Sequence, residues 1–326
     1  MAKKKVLYYN IDDNLDYERG LLTQWGIEDL ELVEIKDYDR EKPFVVHARE
    51  VDGVVVEYQQ LTREIIEQLP NLKIISLQAI GVDNVDVEAA TDHGVSVTNC
   101  PEFCSEEVAL HTIGLMIDLT RKITLLDRSV RHGKWDPLYG YKTYRLTGKT
   151  VGLYFFGSIP KAMMPMLQAL NVRVLVYAPT KTKAFLKEFG VEKVDTFEEL
   201  LTQSDILSLH CPLLDSTAHL ISERELKMMK KDAFLINTAR GKVVDETALV
   251  KALKEGEIKA AAVDVIEDET TETSPLFALD NTIITPHSAF VSEDSFYNAR
   301  KIALEQLVQR LSKNQKPEHL VNPNVM

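Results

Sequence analysis

Short apolar runs alternate with stretches of helical periodicity along this chain of 326 residues. Three such runs near the start predict strands, at Lys5–Tyr9, Asp52–Glu57 and Leu72–Leu77. Six more predict strands further along, at 150–156, 172–177, 205–210, 233–238, 260–266 and 281–286. Helical spacing between strands, as in Leu61–Leu69, is typical of parallel sheets joined by crossover helices. Six such strands predict a doubly wound sheet, which binds nucleotides at the carboxyl ends of its strands.

Two long helical segments accompany the second group of strands. The segment Ser105–Leu126 is mostly apolar and predicts a largely buried helix with Ser105 as its N-cap. The segment Glu293–Leu311 predicts an amphipathic helix, followed by a polar tail. Because this helix follows the last strand, we expect two units, with the second inserted into the first.

The net charge of the chain bears on which classes of partner it can bind. The chain has 38 Lys and Arg against 50 Asp and Glu, which gives a formal charge of −12 and a pI near 5.2. A field of this sign repels phosphate backbones and anionic lipid headgroups, so we expect no nucleic-acid or membrane partner. No apolar run reaches the length of a membrane span, and an odd number of cysteines fits a reducing compartment, so a cytoplasmic protein is predicted. The Cys100-x₃-Cys104 spacing and the scattered histidines predict no metal site.

The segment from residue 150 to 183 has the frame of a dinucleotide-binding motif, but most of its glycines are missing. In G-x-G-x-x-G, glycines allow a tight turn, close approach of the pyrophosphate and close helix packing. The three positions are Phe155, Gly157 and Pro160 here. Gly157, Ser158 and Ile159 are the candidate pyrophosphate contacts, with Ser158 expected to cap the helix. The alternative is an ordinary strand–turn–helix that binds no ligand.

The end of the next predicted strand carries a signal for the type of cofactor. An acidic residue there normally binds the adenosine ribose hydroxyls, and this chain has Ala178 instead. Thr180, Lys181 and Lys183 follow it, and their donors and charges suit a 2′-phosphate. This favours NADP over NAD, although the same lysines would also fit a solvated loop.

Three polar residues follow late strands of the second unit, where such a sheet binds its ligand. Arg240 follows LINTA, Glu269 lies in VDVIEDE, and His287 follows TIITP. An arginine can bind a carboxylate through two parallel hydrogen bonds, and a histidine can transfer a proton near neutral pH. A nearby glutamate would orient the imidazole and stabilise imidazolium.

The combination of TARG, VDVIEDE and TPHSAF, with LQAIGVDNVDVEAATDHGVSVTNCPEF upstream, resembles the D-isomer-specific 2-hydroxyacid dehydrogenase family. The resemblance covers nearly the whole chain. It implies two α/β domains with doubly wound parallel sheets, a Rossmann-type nucleotide domain inserted in a flavodoxin-like substrate domain. The expected boundaries are 1–102 and 293–326 for the substrate domain and 103–292 for the dinucleotide-binding domain. It also implies a homodimer that binds NAD or NADP and interconverts 2-oxoacids and D-2-hydroxyacids by hydride transfer.

Residue roles follow from the resemblance by position. It implies that Arg240 binds the substrate carboxylate and carbonyl, that His287 donates the proton, and that Glu269 keeps His287 protonated. The backbone at Ile80 and Gly81 should also hold the carboxylate. The remaining residues that match cofactor contacts are Cys211, Pro212, Thr217, Thr238, Ala239 and Asp264, the last facing the cofactor amide or ribose.

Other positions bear on the substrate and on assembly. Phe103 stands where lactate-specific relatives carry a tyrosine, and Glu57, Tyr58 and Phe290 are expected to line the side-chain pocket. These residues leave the pocket mixed in polarity, and the lack of a basic cluster near VEYQQ counts against phosphoglycerate. The loop HGKWDPLYGY resembles the dimer arm of the family. Its expected interface anchors, which could instead be buried within one subunit, are Trp135, Tyr139, Tyr141 and Tyr144.

The altered loop leaves a second functional hypothesis open. Phe155 and Pro160 are compatible with a catalytically idle relative that senses a nucleotide or acts as a corepressor-like module. The presence of Arg240, Glu269 and His287 together favours an active dehydrogenase.

Overall fold

Two separate parallel sheets form the framework of this computed structural model, which describes residues 3–11, 13–38 and 41–325. One compact unit contains the chain up to Phe103 and again from Ser292 onward, and the other unit spans Cys104–Val291. Within the described residues, no helix is both long and apolar enough to cross a bilayer.

The first unit contains a five-stranded parallel sheet. Its strands are β1 (Lys4–Tyr9), β2 (Leu30–Ile35), β3 (Gly53–Val56), β4 (Ile74–Leu77) and β5 (Ser96–Thr98). Their order in the sheet is β2-β1-β3-β4-β5, which is the order of flavodoxin-like folds. The three predicted strands are confirmed, whereas β2 and β5 were missed. The segment of β2 lies at the sheet edge, where charged residues interrupt its apolar run, and β5 has only three residues.

Within the described ranges, the helices of the first unit that precede the second unit in the chain are α1 (Asp16–Trp25), α2 (Phe44–Ala48), α3 (Arg63–Ile66) and α4 (Val87–Asp92). The helix α3 lies within the predicted segment Leu61–Leu69. It is shorter than predicted because Leu61 forms an isolated bridge with Val85 and a turn follows Ile66.

The second unit contains a seven-stranded parallel sheet. Its strands are β6 (Thr150–Tyr154), β7 (Arg173–Tyr177), β8 (Glu192–Lys193), β9 (Ile206–Leu209), β10 (Phe234–Asn237), β11 (Ala260–Val263) and β12 (Thr282–Ile284). The strand order in the sheet is β12-β11-β10-β9-β6-β7-β8. Successive strands are added toward one edge from β6 to β8 and toward the other edge from β9 to β12, as in Rossmann-type sheets. All six predicted strands are confirmed. The two-residue strand β8 was missed because it has no apolar run.

The second unit contains helices, most of which pack against one face or the other of this sheet. They are α5 (Ser105–Arg121), α6 (Ile123–Arg131), α7 (Ser158–Ala169), α8 (Lys183–Glu188), α9 (Phe197–Gln203), α10 (Glu223–Met228) and α11 (Glu246–Glu255). Successive strand residues alternate between two apolar clusters: Leu175 belongs to one, and Val174 and Val176 belong to the other. Because side chains alternate across a strand, the two clusters lie on opposite faces, and the sheet is buried on both.

The single helix expected over 105–126 is wrong. The chain leaves helical geometry at Lys122, whose φ is +57°, and α6 starts at the next residue. The Lys122 ammonium donates to the carbonyl oxygen of Tyr139 at 2.7 Å, which helps to hold this conformation. The N-cap of α5 is Cys104 rather than Ser105, and no side chain caps this end.

The C-terminal helix returns to the first unit as α12 (Glu293–Leu307). Its Arg300 is buried and donates to both carboxylate oxygens of Glu18 in α1, at 2.8 and 2.6 Å. The rings of Tyr17 and Tyr297 lie close to the guanidinium on the same pair of helices. A buried charge of this kind is tolerated because its partner neutralises it, so the pair joins the two ends of the chain within this unit.

Candidate active site

The three candidate catalytic residues follow three neighbouring strands of the second unit. Arg240 comes shortly after β10, Glu269 after β11, and His287 after β12. These strands are adjacent and parallel, so their carboxyl ends meet at one edge of the sheet. Residues separated by 47 positions in the sequence therefore reach the same edge.

His287 and Glu269 form a direct pair. The Nδ1 atom of His287 lies 2.8 Å from Oε2 of Glu269, and their side chains are 38% and 43% exposed. The ring of Phe290 meets the imidazole edge-on, with centroids 6.1 Å apart. In the part of the chain that the structure describes, Nε2 of His287 has no hydrogen-bond partner. The pair therefore orients the imidazole while leaving one ring nitrogen available to exchange a proton.

The backbone of His287 is strained, with a φ of +51°. A non-glycine residue in this region costs about 1–3 kcal/mol, which neighbouring contacts must offset. The amide of His287 donates to the carbonyl oxygens of Asp264 at 2.7 Å and Thr285 at 3.0 Å. These contacts hold the turn in the conformation that presents the imidazole.

Asp264 extends this restraint with its side chain. Its buried carboxylate accepts hydrogen bonds from the amides of Ser288 and Ala289, both at 2.9 Å, and from the hydroxyl of Thr285. The carboxylate is therefore engaged by the His287 turn. The expected contact between Asp264 and a cofactor stays a prediction.

The turn that carries Arg240 is organised by Asn237 and Gly241. The buried amide of Asn237 donates to the carbonyl oxygen of Arg240 at 2.9 Å and accepts from the amide of Ala239 at 3.0 Å. A Cβ added to Gly241 would lie 1.8 Å from the carbonyl oxygen of Ile266. Only glycine allows the loop after β10 to approach the backbone after β11 this closely. We did not single out Gly241 from the sequence, although its position directly after Arg240 was a signal.

The loop between β6 and α7 differs from a glycine-rich loop in a specific way. Phe155 adopts a φ of +78°, the left-handed geometry that a glycine would adopt without strain. Its ring packs against the apolar cluster that contains Leu175, and it lies 3.6 Å from the position of a Cβ built on Gly157. The loop thus keeps the backbone geometry of the motif at the first position without the glycine.

The start of α7 has the donors that an anion would need. Gly157 is the N-cap, Ser158 is the first helical residue, and no side chain caps this end, so the predicted Ser158 cap is wrong. The amides of Ser158 and Ile159 belong to the first turn of this 12-residue helix, where backbone donors lack helical acceptors. This donor set fits a pyrophosphate.

Two lysines lie near the end of β7. The ammonium of Lys181 is 5.4 Å from the ring centroid of Phe185, and that of Lys161 in α7 is 5.6 Å from the same centroid. Within the described residues neither pairs with a carboxylate, whereas Lys183 pairs with Asp195 at 2.9 Å. Lys161 was missed because only the fold brings this residue of α7 to the ring of Phe185 in α8.

The adjacent candidates differ in exposure. Ala178 is buried, whereas Thr180 is exposed, and its hydroxyl has no hydrogen-bond partner among the described residues. The carboxylate that usually stands at position 178 is therefore replaced by a small apolar group at the end of β7.

The other candidate cofactor residues lie at the ends of β9 and β10. The hydroxyl of Thr217 donates to the carbonyl oxygen of Pro212 at 2.7 Å and closes the loop after β9. The hydroxyls of Thr238 and Thr112 lie 3.0 Å apart, which links the end of β10 to α5. Burial raises the pKa of Cys211 to about 11, so its thiol is neutral.

His210 is a half-buried residue at this edge that the sequence did not highlight. Burial lowers its pKa to about 3, so the imidazole is neutral. Its Nε2 lies 2.9 Å from the hydroxyl of Ser208, and its Nδ1 is buried with no partner among the described residues. Among those residues, no group of three or more His, Cys, Asp or Glu side chains could hold a metal ion.

The candidate substrate residues of the first unit also follow strands. Glu57 and Tyr58 come directly after β3, and Tyr58 is exposed. Ile80 and Gly81 lie in the loop after β4, where the side-chain amide of Asn99 donates to the carbonyl oxygen of Ile80 at 2.7 Å. Phe103 is buried. Their roles toward a substrate stay predictions.

Comparisons with known proteins agree with this arrangement. Residues 113–289 match the family described as D-isomer specific 2-hydroxyacid dehydrogenase, NAD binding domain. A glyoxylate reductase of Thermococcus litoralis is 38% identical over 286 residues, covering 85% of this chain and 86% of its own length. A D-3-phosphoglycerate dehydrogenase of Methanocaldococcus jannaschii is 37% identical over 92% of this chain, which spans only 57% of that longer protein. The crystal structure of a glyoxylate reductase from Paecilomyes thermophila superposes with a TM-score of 0.87, at 26% identity, covering 98% of this chain and 99% of that one.

The close backbone approach at Gly241 leads to a prediction about stability. We expect Gly241→Ala to destabilise the protein by about 1–3 kcal/mol, because the new methyl group overlaps a backbone carbonyl that cannot rotate away. Chemical denaturation measures the change. The matched control is Gly20→Ala in α1, where an added Cβ meets no atom within 4 Å. Equal stability of the two variants would contradict the close approach.

Proposed function

This chain belongs to the D-isomer specific 2-hydroxyacid dehydrogenase family, and we propose that it uses Arg240, Glu269 and His287 to interconvert a 2-oxoacid and a D-2-hydroxyacid. The observation that carries this proposal is the 2.8 Å pairing of His287 Nδ1 with Glu269 at the edge where Arg240 also lies. An idle site has no chemical need for an oriented imidazole with one ring nitrogen available.

The proposed roles follow from the chemistry of each group. The guanidinium of Arg240 binds the carboxylate of the 2-oxoacid through paired hydrogen bonds. A bound reduced nicotinamide supplies the hydride that C2 of the substrate receives. His287 donates a proton from Nε2 to the carbonyl oxygen, which becomes the hydroxyl of the product. Glu269 holds the ring in place and stabilises the positive charge that imidazolium carries before the transfer.

The substrate that we propose is a short 2-oxoacid such as glyoxylate. Two of the similar proteins are glyoxylate reductases. The residues that follow β3 in this chain are Glu57, Tyr58, Gln59 and Gln60, which include no cation for a substrate phosphate. A phosphorylated 2-oxoacid is therefore the less favoured substrate.

Turnover provides the direct test. The purified protein with NADPH or NADH should consume cofactor when glyoxylate is added, and His287→Ala should lower kcat by about 10²–10⁴-fold because the proton donor is lost. Cofactor affinity, measured by calorimetry, should be unchanged in this variant. His93→Ala is the control, because His93 lies at the end of α4 and contacts the carbonyl oxygen of Ala89 in its own helix. Full activity of His287→Ala, or no turnover of any 2-oxoacid by the wild type, would refute the proposal.

We further propose that the cofactor is NADP rather than NAD. Ala178 replaces the acidic residue that would repel a 2′-phosphate, and Lys161 and Lys181 bring two ammonium groups to the ring of Phe185. Neither lysine pairs with a carboxylate in the described part of the chain. A phosphate that carries two negative charges would gain a charge-assisted hydrogen bond from each.

Binding measurements separate the two cofactors. In a Lys161→Met/Lys181→Met variant we expect NADPH to bind about 10–100-fold more weakly, since hydrogen bonds to charged groups contribute about 1.5–3 kcal/mol. NADH should bind as it does to the wild type, because it lacks the 2′-phosphate. The control is Lys183→Met, whose charge is already paired with Asp195. An equal loss for NADH and NADPH, or tighter binding of NADH by the wild type, would contradict the preference.

We also propose that the protein is a homodimer, with an interface that uses fewer of the tyrosines than the sequence suggests. The hydroxyls of Tyr141 and Tyr144 donate to the carbonyl oxygens of Leu119 and Asp205 in the same unit, and both rings pack against its core. These two tyrosines therefore serve the fold of one chain. Trp135 and Leu138 are 87% and 83% exposed. Large apolar side chains this exposed are typical of interfaces, and we propose that a second copy of the chain covers them.

Light scattering tests this assembly. The wild type should have twice the chain mass of 36.9 kDa, and Trp135→Glu/Leu138→Glu should give the mass of one chain because a charge cannot be buried unpaired in the interface. Val46→Glu, which changes an exposed apolar side chain of α2, is the control. A monomeric wild type would rule the dimer out.

A further inference from the structure

His111 is a polar residue of α5 that has no role in the proposed chemistry. Its side chain is 24% exposed, and its Nε2 lies 3.1 Å from the hydroxyl oxygen of Thr285. Thr285 follows β12 and precedes His287 by two residues. A contact across 174 positions in the sequence thus joins a helix to the turn that presents the proposed proton donor.

The directions of these hydrogen bonds follow from the number of protons available. The hydroxyl of Thr285 has one proton, which it donates to Oδ1 of Asp264, since an ionised carboxylate can only accept. The contact between Thr285 and His111 must therefore use a proton on Nε2 of His111. This proton fixes the hydroxyl of Thr285 in the rotamer that reaches Asp264. The imidazole itself lies 3.7 Å from the same carboxylate oxygen.

Asp264 transmits this restraint to His287. Its carboxylate accepts the amides of Ser288 and Ala289, and its carbonyl oxygen accepts the amide of His287. The φ of +51° at His287 is unfavourable for a histidine, so the turn keeps this conformation only while the surrounding contacts hold it. Loss of the His111 donor lets the hydroxyl of Thr285 rotate, which removes one of the three donors to the carboxylate.

We propose that His111 is a positioning residue that acts through Thr285 and Asp264 to hold the imidazole of His287 in its productive orientation. This inference rests on the proposed function, because it assigns His287 the proton transfer. A small displacement of a reacting group has a large effect: about 1 Å of misplacement can cost about 10²-fold in rate. The effect belongs to the chemical step, because none of these contacts involves Arg240 or the loop before α7.

The test compares His111→Leu with His111→Gln. We expect His111→Leu to lower kcat for glyoxylate by about 10-fold or more, with little change in KM or in the cofactor Kd from calorimetry. The solvent deuterium isotope effect on kcat should rise, because proton transfer becomes slower than the other steps. His111→Gln should recover most of kcat, since its amide nitrogen can donate from about the position of Nε2.

A double-mutant cycle tests whether His111 acts through Thr285. Thr285→Val breaks the same connection one step closer to Asp264, so His111→Leu should add no further loss of kcat to Thr285→Val. Thermal unfolding of each variant separates a loss of folding from a displaced imidazole. If His111→Leu does not fold, the comparison is made with Thr285→Val, and if Thr285→Val does not fold, it is made with His111→Leu. Wild-type kcat and isotope effect in His111→Leu, equal loss in His111→Gln, or additive losses in the double variant would overturn the inference. A wild type that turns over no 2-oxoacid would instead refute the proposed function.

Discussion

The candidate site depends on one buried carboxylate. Asp264 lies at the end of β11 and receives three hydrogen bonds from the chain that follows β12: two from backbone amides and one from the hydroxyl of Thr285. An unpaired carboxylate at this position would be costly, and so would unpaired buried amides, so each group satisfies the other. This arrangement holds His287 in a conformation that the isolated chain would avoid.

At the same edge of the sheet, close backbone approach and short side chains connect neighbouring strand ends. Gly241 allows the loop after β10 to approach the backbone of Ile266, and Asn237 closes the turn around Arg240. Glu269 then reaches His287 from the loop after β11. The turns that carry Arg240 and His287 are each held by contacts with a neighbouring strand end, so the orientation of these side chains depends on the packing of the sheet edge. A rigid edge is what proton transfer within hydrogen-bond distance requires.

The loop before α7 has the backbone conformation of a dinucleotide-binding loop at its first motif position, although that position is not a glycine. Glycine is the ordinary choice at the first position of a dinucleotide-binding loop, and Phe155 takes the same left-handed conformation at an energetic cost. Packing of its ring against the core offsets part of that cost. The uncapped first turn of α7 still offers backbone donors, so the loss of two motif glycines does not remove the features that bind an anion.

The sequence by itself determined six of the seven strands of the second sheet, because each of the six is an apolar run. It also determined the strand-end positions of Arg240, Glu269 and His287. It did not reveal β2, β5 or β8, whose short or edge positions leave no apolar run, or the break at Lys122, where no glycine or proline marks the end of α5. Only the tertiary structure decided that Tyr141 and Tyr144 face their own core, that Lys161 and Lys181 both approach the ring of Phe185, and that His111 reaches Thr285. The reason is physical: periodicity along a chain reports which face of an element is buried. The partner of a polar side chain depends on how distant elements pack, which no local pattern records.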